Sequence, residues 1–278
     1  MTKVALMGAG GKMGVRLATN LMGSEYDVQH VEVSPEGQQR LKDETGLECV
    51  GQGQALSNAD AVILAVPDRL IGKILTSFVD ELRPGTAVIM LDAAAPHAGT
   101  LPKRDDITYF VAHPCHPPLF NDETAPDAKK DYFGGIAAKQ HIICALGQGP
   151  EEHYKMCEDI ARTFYGPVMR SHRCTVEQMA ILEPALSESI GATFAKVLKD
   201  ATDEAAKRGV PYQAAEDFLL GHLTILLAVA FRVQPGGKLS DGCMLAIEEA
   251  EPVIFKDGWM DDIFAPEAVK ASVESICK

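Results

Sequence analysis

The chain is poor in aromatic side chains, which make up 6% of its 278 residues with a single tryptophan, and poor in positive charge. Its 26 basic residues stand against 39 acidic ones, a formal net charge of −13. A surface that acidic repels a phosphate backbone and argues against a nucleic-acid partner. Uninterrupted apolar runs of the ~18 residues needed to span a bilayer are missing, so no membrane partner is expected. Met1-Thr2-Lys3 leads directly into a strand pattern, so a secretory signal is not expected. Paired cysteine spacing is missing too. Cys49, Cys115, Cys144, Cys157, Cys174, Cys243 and Cys277 are an odd number without a CxxC, as expected of reduced thiols in the cytoplasm.

What is present suits a globular chain, 46% hydrophobic and 23% charged. Its length is about 1.9 times the ~150 residues of a typical domain, so two domains are expected. The first half alternates apolar runs, at 4–7, 28–33, 61–66, 87–91, 108–112 and 142–146, with amphipathic stretches at 13–21, 68–82 and 150–164. Ala61-Val62-Ile63-Leu64-Ala65-Val66 is apolar throughout, as a strand buried on both faces of a parallel sheet must be. The fold class that follows is α/β, a doubly wound parallel sheet. The second half changes to helical spacing, with Leu182, Leu186, Ile190, Phe194 and Val197 on one long helix over 175–208 that Gly209 stops. Pro211 opens another helix, nearly apolar from Phe218 to Phe231. A helix apolar all round has to be covered on every side. The hundred or so remaining residues cannot do that alone, so a second copy of the chain is expected to cover it. The boundary falls near 171–174, giving a dinucleotide-binding domain at 1–172 and an all-helical domain at 173–278.

Gly8-Ala9-Gly10-Gly11-Lys12-Met13-Gly14 stands where the first strand turns into the first helix. Glycines belong there because the backbone turns sharply and a pyrophosphate approaches where a Cβ would clash, while the helix start offers N–H groups to the phosphates. Glu32 follows at close to the ~20-residue offset of an acid that takes the ribose hydroxyls. Its charge would repel a 2′-phosphate and favours NAD over NADP; Lys12 points the other way. Pro67 and Asp68 close the central strand, where such sheets line the cofactor crevice, although Asp68 reads equally well as a helix N-cap. His97 could face the nicotinamide, but reads better as an exposed loop residue.

The most unusual segment is Ala112-His113-Pro114-Cys115-His116-Pro117-Pro118, just past a strand. Proline fixes its own φ and restricts the residue before it, so His113 and His116 sit on stiff backbone, as a positioned acid, base or metal ligand must. A second oddity is Leu182-Glu183-Pro184, a proline inside an apolar helical pattern. It marks either a helix break with a solvated glutamate or a kink that presents a carboxylate. His113, His116 and Glu183 form a chemically reasonable set for a divalent ion such as zinc or magnesium. The same histidines could work without a metal, one taking a hydroxyl proton as hydride leaves the carbon. Lys196 and Lys199 are alternative bases.

The glycine turn followed by a long helix and a helical domain resembles the 6-phosphogluconate dehydrogenase-like superfamily. Within it, the glycine turn, the histidine–proline segment and Leu182-Glu183-Pro184-Ala185 are similar to those of the D-apionate oxidoisomerase family. The resemblance implies an NAD-dependent enzyme of carbohydrate metabolism that oxidises a small branched sugar acid and rearranges it by a 1,2-shift. It also implies a homodimer through the helical domain. The glycine turn is similar to that of dihydrodipicolinate reductases as well, without their histidine–lysine segment. His113-Pro114 is similar to the pair in prephenate dehydrogenases, though His116 and the following prolines depart from that pattern. A cofactor-binding sensor without catalysis is the reading from another class.

Overall fold

A computed structural model describes residues 1–277. It divides into two compact units, Met1–Ala180 together with Lys270–Lys278, and Ile181–Val269. The division does not fall near 171–174, because a seventh strand and a short helix stay with the sheet and the chain's last residues return to it.

The first unit is built on β1 (Lys3–Met7), β2 (Asp27–Val31), β3 (Ala61–Leu64), β4 (Ala87–Met90), β5 (Thr108–Pro114), β6 (Gln140–Gln148) and β7 (Val168–Arg173). They lie in the order β2-β1-β3-β4-β5-β6-β7. The first five are parallel, and the central β3 and β4 are apolar throughout, as strands buried on both faces must be. β6 departs from the all-parallel expectation and runs antiparallel to β5. Its run Ile142-Ile143-Cys144-Ala145 is buried on both faces, and burial of that kind carries no direction. β7 pairs parallel to β6 and is the strand absent from the sequence reading. Its residues Met169, Arg170, His172 and Arg173 are exposed, as an edge strand allows.

Alternate residues of each strand feed two cores. Val4, Leu6, Ile63, Ile89, Phe110 and Ile142 meet Leu17 and Leu21 of α1 (Lys12–Leu21) and Ile160 and Phe164 of α6 (Glu152–Phe164). The helices α2 (Pro35–Thr45), α3 (Gln52–Leu56), α4 (Asp68–Phe78), α5 (Ala94–His97) and α7 (Val176–Ala180) complete this unit's main helices. β1 is flanked by β2 on one side and β3 on the other, so the crevice of a doubly wound sheet opens at the carboxyl ends of β1 and β3.

The second unit is helical. The single helix expected over 175–208 is three pieces: α7, a π-helical segment Ile181–Ala192 that begins this unit, and α8 (Thr193–Lys207). Pro184 explains the change of winding. Its ring clashes with the carbonyl four residues back in an α-helix, and the wider π turn relieves that clash. Gly209, at φ 97°, ends α8 as its sequence position suggests. Then come α9 (Tyr212–Ala230), α10 (Asp241–Ile254), α11 (Trp259–Phe264) and the start of α12 (Pro266–Ile276). By length and composition α9 could cross a membrane, with 19 residues and a mean hydropathy of 1.3. It nevertheless carries Glu216, Asp217 and His222. Phe194, Phe255 and Trp259 form an aromatic cluster within this unit, the last two stacked at 4.8 Å.

Candidate active site

The glycine turn occupies the β1–α1 connection. Gly8 takes φ 76°, a conformation open to glycine, and a Cβ at Gly14 would overlap the Gly8 carbonyl oxygen. The turn is thus closed too tightly for side chains. The start of α1 is open: Gly11 provides no side-chain cap, and the first turn holds no acidic residue. By contrast, α2 is capped by Ser34 and has Glu36 in its first turn. A helix start left open beside a tight glycine turn fits a dinucleotide pyrophosphate. Lys12 is exposed and Met13 half-buried at that opening.

Glu32 lies one residue past the end of β2, which stops at Val31 rather than Val33. Its carboxylate accepts hydrogen bonds from the backbone N–H of Gly10 (3.1 Å), Val33 (2.8 Å) and Ser34 (2.9 Å). One acid therefore ties the glycine turn to the loop where a ribose would sit. Arg40 adds a second tie by donating to the Gly10 carbonyl at 2.7 Å. Pro67 takes the cap position of α4, and Asp68 is its first helical residue rather than its N-cap.

His113 is on β5 and His116 follows just beyond the strand. His113 Nδ1 lies 2.7 Å from the Leu91 carbonyl, and His116 Nδ1 lies 2.9 Å from the Phe133 carbonyl. A carbonyl only accepts, so Nδ1 donates in both rings, and a neutral ring there keeps its lone pair on Nε2. Burial pushes the His113 imidazole below its ordinary range, against the Leu91 carbonyl and Asp92, which favour the cation. His113 is therefore a neutral base or ligand at neutral pH.

The neighbour that sequence reasoning missed is Asp92, which follows β4. Asp92 and His113 offer ligand atoms within 4.8 Å of each other, a close set that does not include His116. The two histidine ring centroids are 6.5 Å apart, edge to face. Asp92 Oδ1 accepts from Ala94 N–H at 2.5 Å, which aims the carboxylate. The only advance signal was its place at the carboxyl end of a strand. Glu183 belongs to the other unit, within the π-helical segment. His97 closes α5 and is half-buried rather than exposed, its Nδ1 without a hydrogen-bond partner among the described residues. Lys196 and Lys199 are exposed on α8 and paired with Asp200 and Asp203, so their face is a solvated one. Near the C-terminus, Cys277 lies in the first unit; burial, then Asp92 and Asp68, push its thiol up.

The sheet, the glycine turn and the polar cluster on the carboxyl edge define a class, the Rossmann-type dinucleotide-dependent oxidoreductases with a helical C-terminal unit. Two family profiles agree: "NADP oxidoreductase coenzyme F420-dependent" over residues 3–96, and "phosphogluconate dehydrogenase (decarboxylating) C-term" over residues 121–277. More particularly, the chain belongs to the D-apionate oxidoisomerase family. It is 57% identical over 276 residues to the D-apionate oxidoisomerase of Rhizobium rhizogenes, covering 99% of this chain and 100% of that one. It is 58% identical over 274 residues to that of Cupriavidus necator, covering 99% of each. Among solved structures it is similar to a semialdehyde dehydrogenase NAD-binding protein from Cupriavidus necator in complex with calcium and NAD. That match has 58% identity and a TM-score of 0.97 over 99% of each chain.

Proposed function

We propose that this chain oxidises D-apionate with NAD and rearranges the product to 3-oxo-isoapionate, with His113 and Asp92 holding a divalent cation and His116 taking protons. The observation that carries the reading is the Asp92–His113 pair, a carboxylate and a neutral imidazole within 4.8 Å of each other. A nitrogen and a carboxylate suit a hard or borderline ion. The ion, when bound, supplies positive charge to adjacent substrate oxygens, and NAD, when bound, supplies the hydride acceptor.

The chain's own residues account for the rest. Backbone N–H groups at the start of α1 take the pyrophosphate, with Gly8, Gly10, Gly11 and Gly14 keeping side chains out of its way. Glu32 takes the ribose hydroxyls and disfavours a 2′-phosphate. His116 Nε2 accepts the proton of the hydroxyl next to the substrate carboxylate as that carbon gives up hydride. The product is a 2-keto acid with a neighbouring tertiary alcohol. Removal of that alcohol's proton lets one carbon substituent migrate to the ketone carbon; the alcohol carbon becomes the new ketone and the old ketone oxygen takes up a proton. Asp92 and His113 are the groups assigned to hold both oxygens side by side.

The protein works in the cytoplasm as a homodimer through its helical unit. Its seven free thiols support the first. The second rests on α9, whose Phe218, Leu220 and Ile225 are exposed in the single chain. The test is NADH formation with branched and linear 2-hydroxy acids including D-apionate, with NAD or NADP, before and after chelation, and with products identified by NMR. A rearranged keto acid from D-apionate and NAD, lost on chelation, is expected. Oxidation without rearrangement would refute the isomerase step, and full activity after chelation would refute the metal.

A further inference from the structure

Residues 115–139 join β5 to β6. Because β6 runs back antiparallel, with Pro114 opposite Ile142, this connection both starts and ends on the carboxyl edge of the sheet. His116 stands at its head with φ 60°, a left-handed backbone that a residue with a Cβ adopts only when its surroundings enforce it. Cys115 N–H donates to the His141 carbonyl at 2.8 Å on one side. On the other, Phe133 supplies both the carbonyl that receives His116 Nδ1–H and a ring whose centroid is 5.8 Å from the imidazole. Whatever fixes Phe133 therefore fixes His116.

Asp131 fixes it. The Asp131 carbonyl accepts from Gly134 N–H at 3.1 Å. Its Oδ2 accepts from the N–H groups of Ile136, Ala137 and Ala138 at 3.1, 2.9 and 3.2 Å. Oδ1 takes the remaining donor, Arg16 Nη2 at 3.2 Å, and the Asp131 side chain is only 5% exposed. Burial alone would push this carboxyl up, but the three N–H donors and Arg16 together hold it below the usual range, so it stays charged. Arg16 does a second thing: its guanidinium lies 5.5 Å from the centroid of the Phe133 ring. Arg16 projects from α1, the helix whose start forms the cofactor end of the site.

We propose that Arg16 and Asp131 are positioning residues that set His116 against the cofactor helix, through the Asp131 turn and the Phe133 carbonyl and ring. The proposal rests on the reading of His116 as proton acceptor. Neither residue touches a reacting atom; each acts by holding the imidazole where hydride transfer and proton transfer meet.

The experiment compares R16M, R16K, D131N, H116A and the R16M/H116A and D131N/H116A doubles, in the full-length protein with D-apionate and NAD, reading kcat, NADH affinity by fluorescence and melting temperature. R16M and D131N are expected to lower kcat by about tenfold to a hundredfold while NADH affinity stays within about twofold, because misplacing one group by an ångström costs that much. R16K, which keeps the charge, is expected to recover part of the loss. Each double is expected to be no slower than H116A alone, because residues acting through one group are not additive. Doubles slower than H116A by the full single-variant factor would show a general structural role and overturn the proposal. Unchanged kcat in R16M and D131N beside a slow H116A would also overturn it, while leaving the site reading intact. Full turnover in H116A would overturn the site reading and the proposal together. Should D131N fail to fold, R16M carries the same cycle, since Arg16 is partly exposed and lies outside the turn.

Discussion

The two units solve the burial problem in opposite ways. In the first, β1, β3 and β4 are buried along nearly their whole length and both faces are covered by the unit's own helices. In the second, α9 has one buried residue, Ala228, while Phe218 is 69% exposed, and Phe231 just beyond the helix 74%; on α10, Val253 is 84% exposed. An apolar surface of that extent on a monomer marks a contact. The first unit covers the strands behind its cofactor turn with its own helices, whereas the second leaves much of its apolar surface uncovered in the single chain. Chemistry and assembly are thereby separable by mutation.

The largest expected effect lies in the first unit. His113→Ala removes the imidazole that the Leu91 carbonyl orients and that lies close to Asp92, and turnover should fall by about 10³-fold or more, within the range for a lost acid, base or ligand group. NADH affinity should hold, since the glycine turn lies at the ends of other strands. Turnover near the unmutated rate would remove His113 from the site.

Next comes Gly14→Ala, which separates cofactor from assembly. Its Cβ would overlap the Gly8 carbonyl oxygen and the Ala9 backbone, so the turn has to open. Overpacking costs about 1–3 kcal/mol, which corresponds to NAD affinity weaker by roughly tenfold to a hundredfold. Sedimentation should match that of the unmutated protein. A smaller effect should come from Phe218→Asp, which acts on the other side of the comparison. Losing a buried phenylalanine at a dimer contact costs about 2–3 kcal/mol, or some thirty- to a hundredfold in dimer affinity, and a buried charge adds to it. NADH binding per chain should persist. A variant that sediments as the unmutated protein does would show that α9 is not the contact.

Much of the first unit was legible in the sequence because its signals are local. Six of the seven strands coincide with runs read from the sequence, and the glycine turn announces itself by spacing. His113 and His116 stood out because each precedes a proline. What stayed hidden depends on neighbours that are remote in sequence. The direction of β6 is set by where residues 115–139 deliver the chain, and an apolar run reads the same both ways. β7 was invisible because an edge strand with Arg170 and His172 facing out has no hydrophobic pattern to betray it. Asp92 joins His113 only because β4 and β5 are adjacent in the sheet. Pro184 flagged the irregular helix, but its resolution into twelve residues of π winding is a matter of three-dimensional packing.

The smallest expected effect is also the most discriminating, since it separates a ligand from a bare base. Burial lowers the His113 pKa, so the neutral ring persists to lower pH than usual. An unperturbed imidazole would be half protonated at about pH 6.5, so with His113 in control kcat/KM there should remain above half its plateau. Activity is lost only as pH falls through the lowered value, because protonation occupies Nε2, the lone pair the site needs. Raising the divalent ion concentration should move that acid limb further down, since the ion and the proton compete for the same atom. A limb that ignores the ion would keep His113 as a base and strike it from the metal set. A limb at or above the ordinary imidazole range would assign the titration to another group.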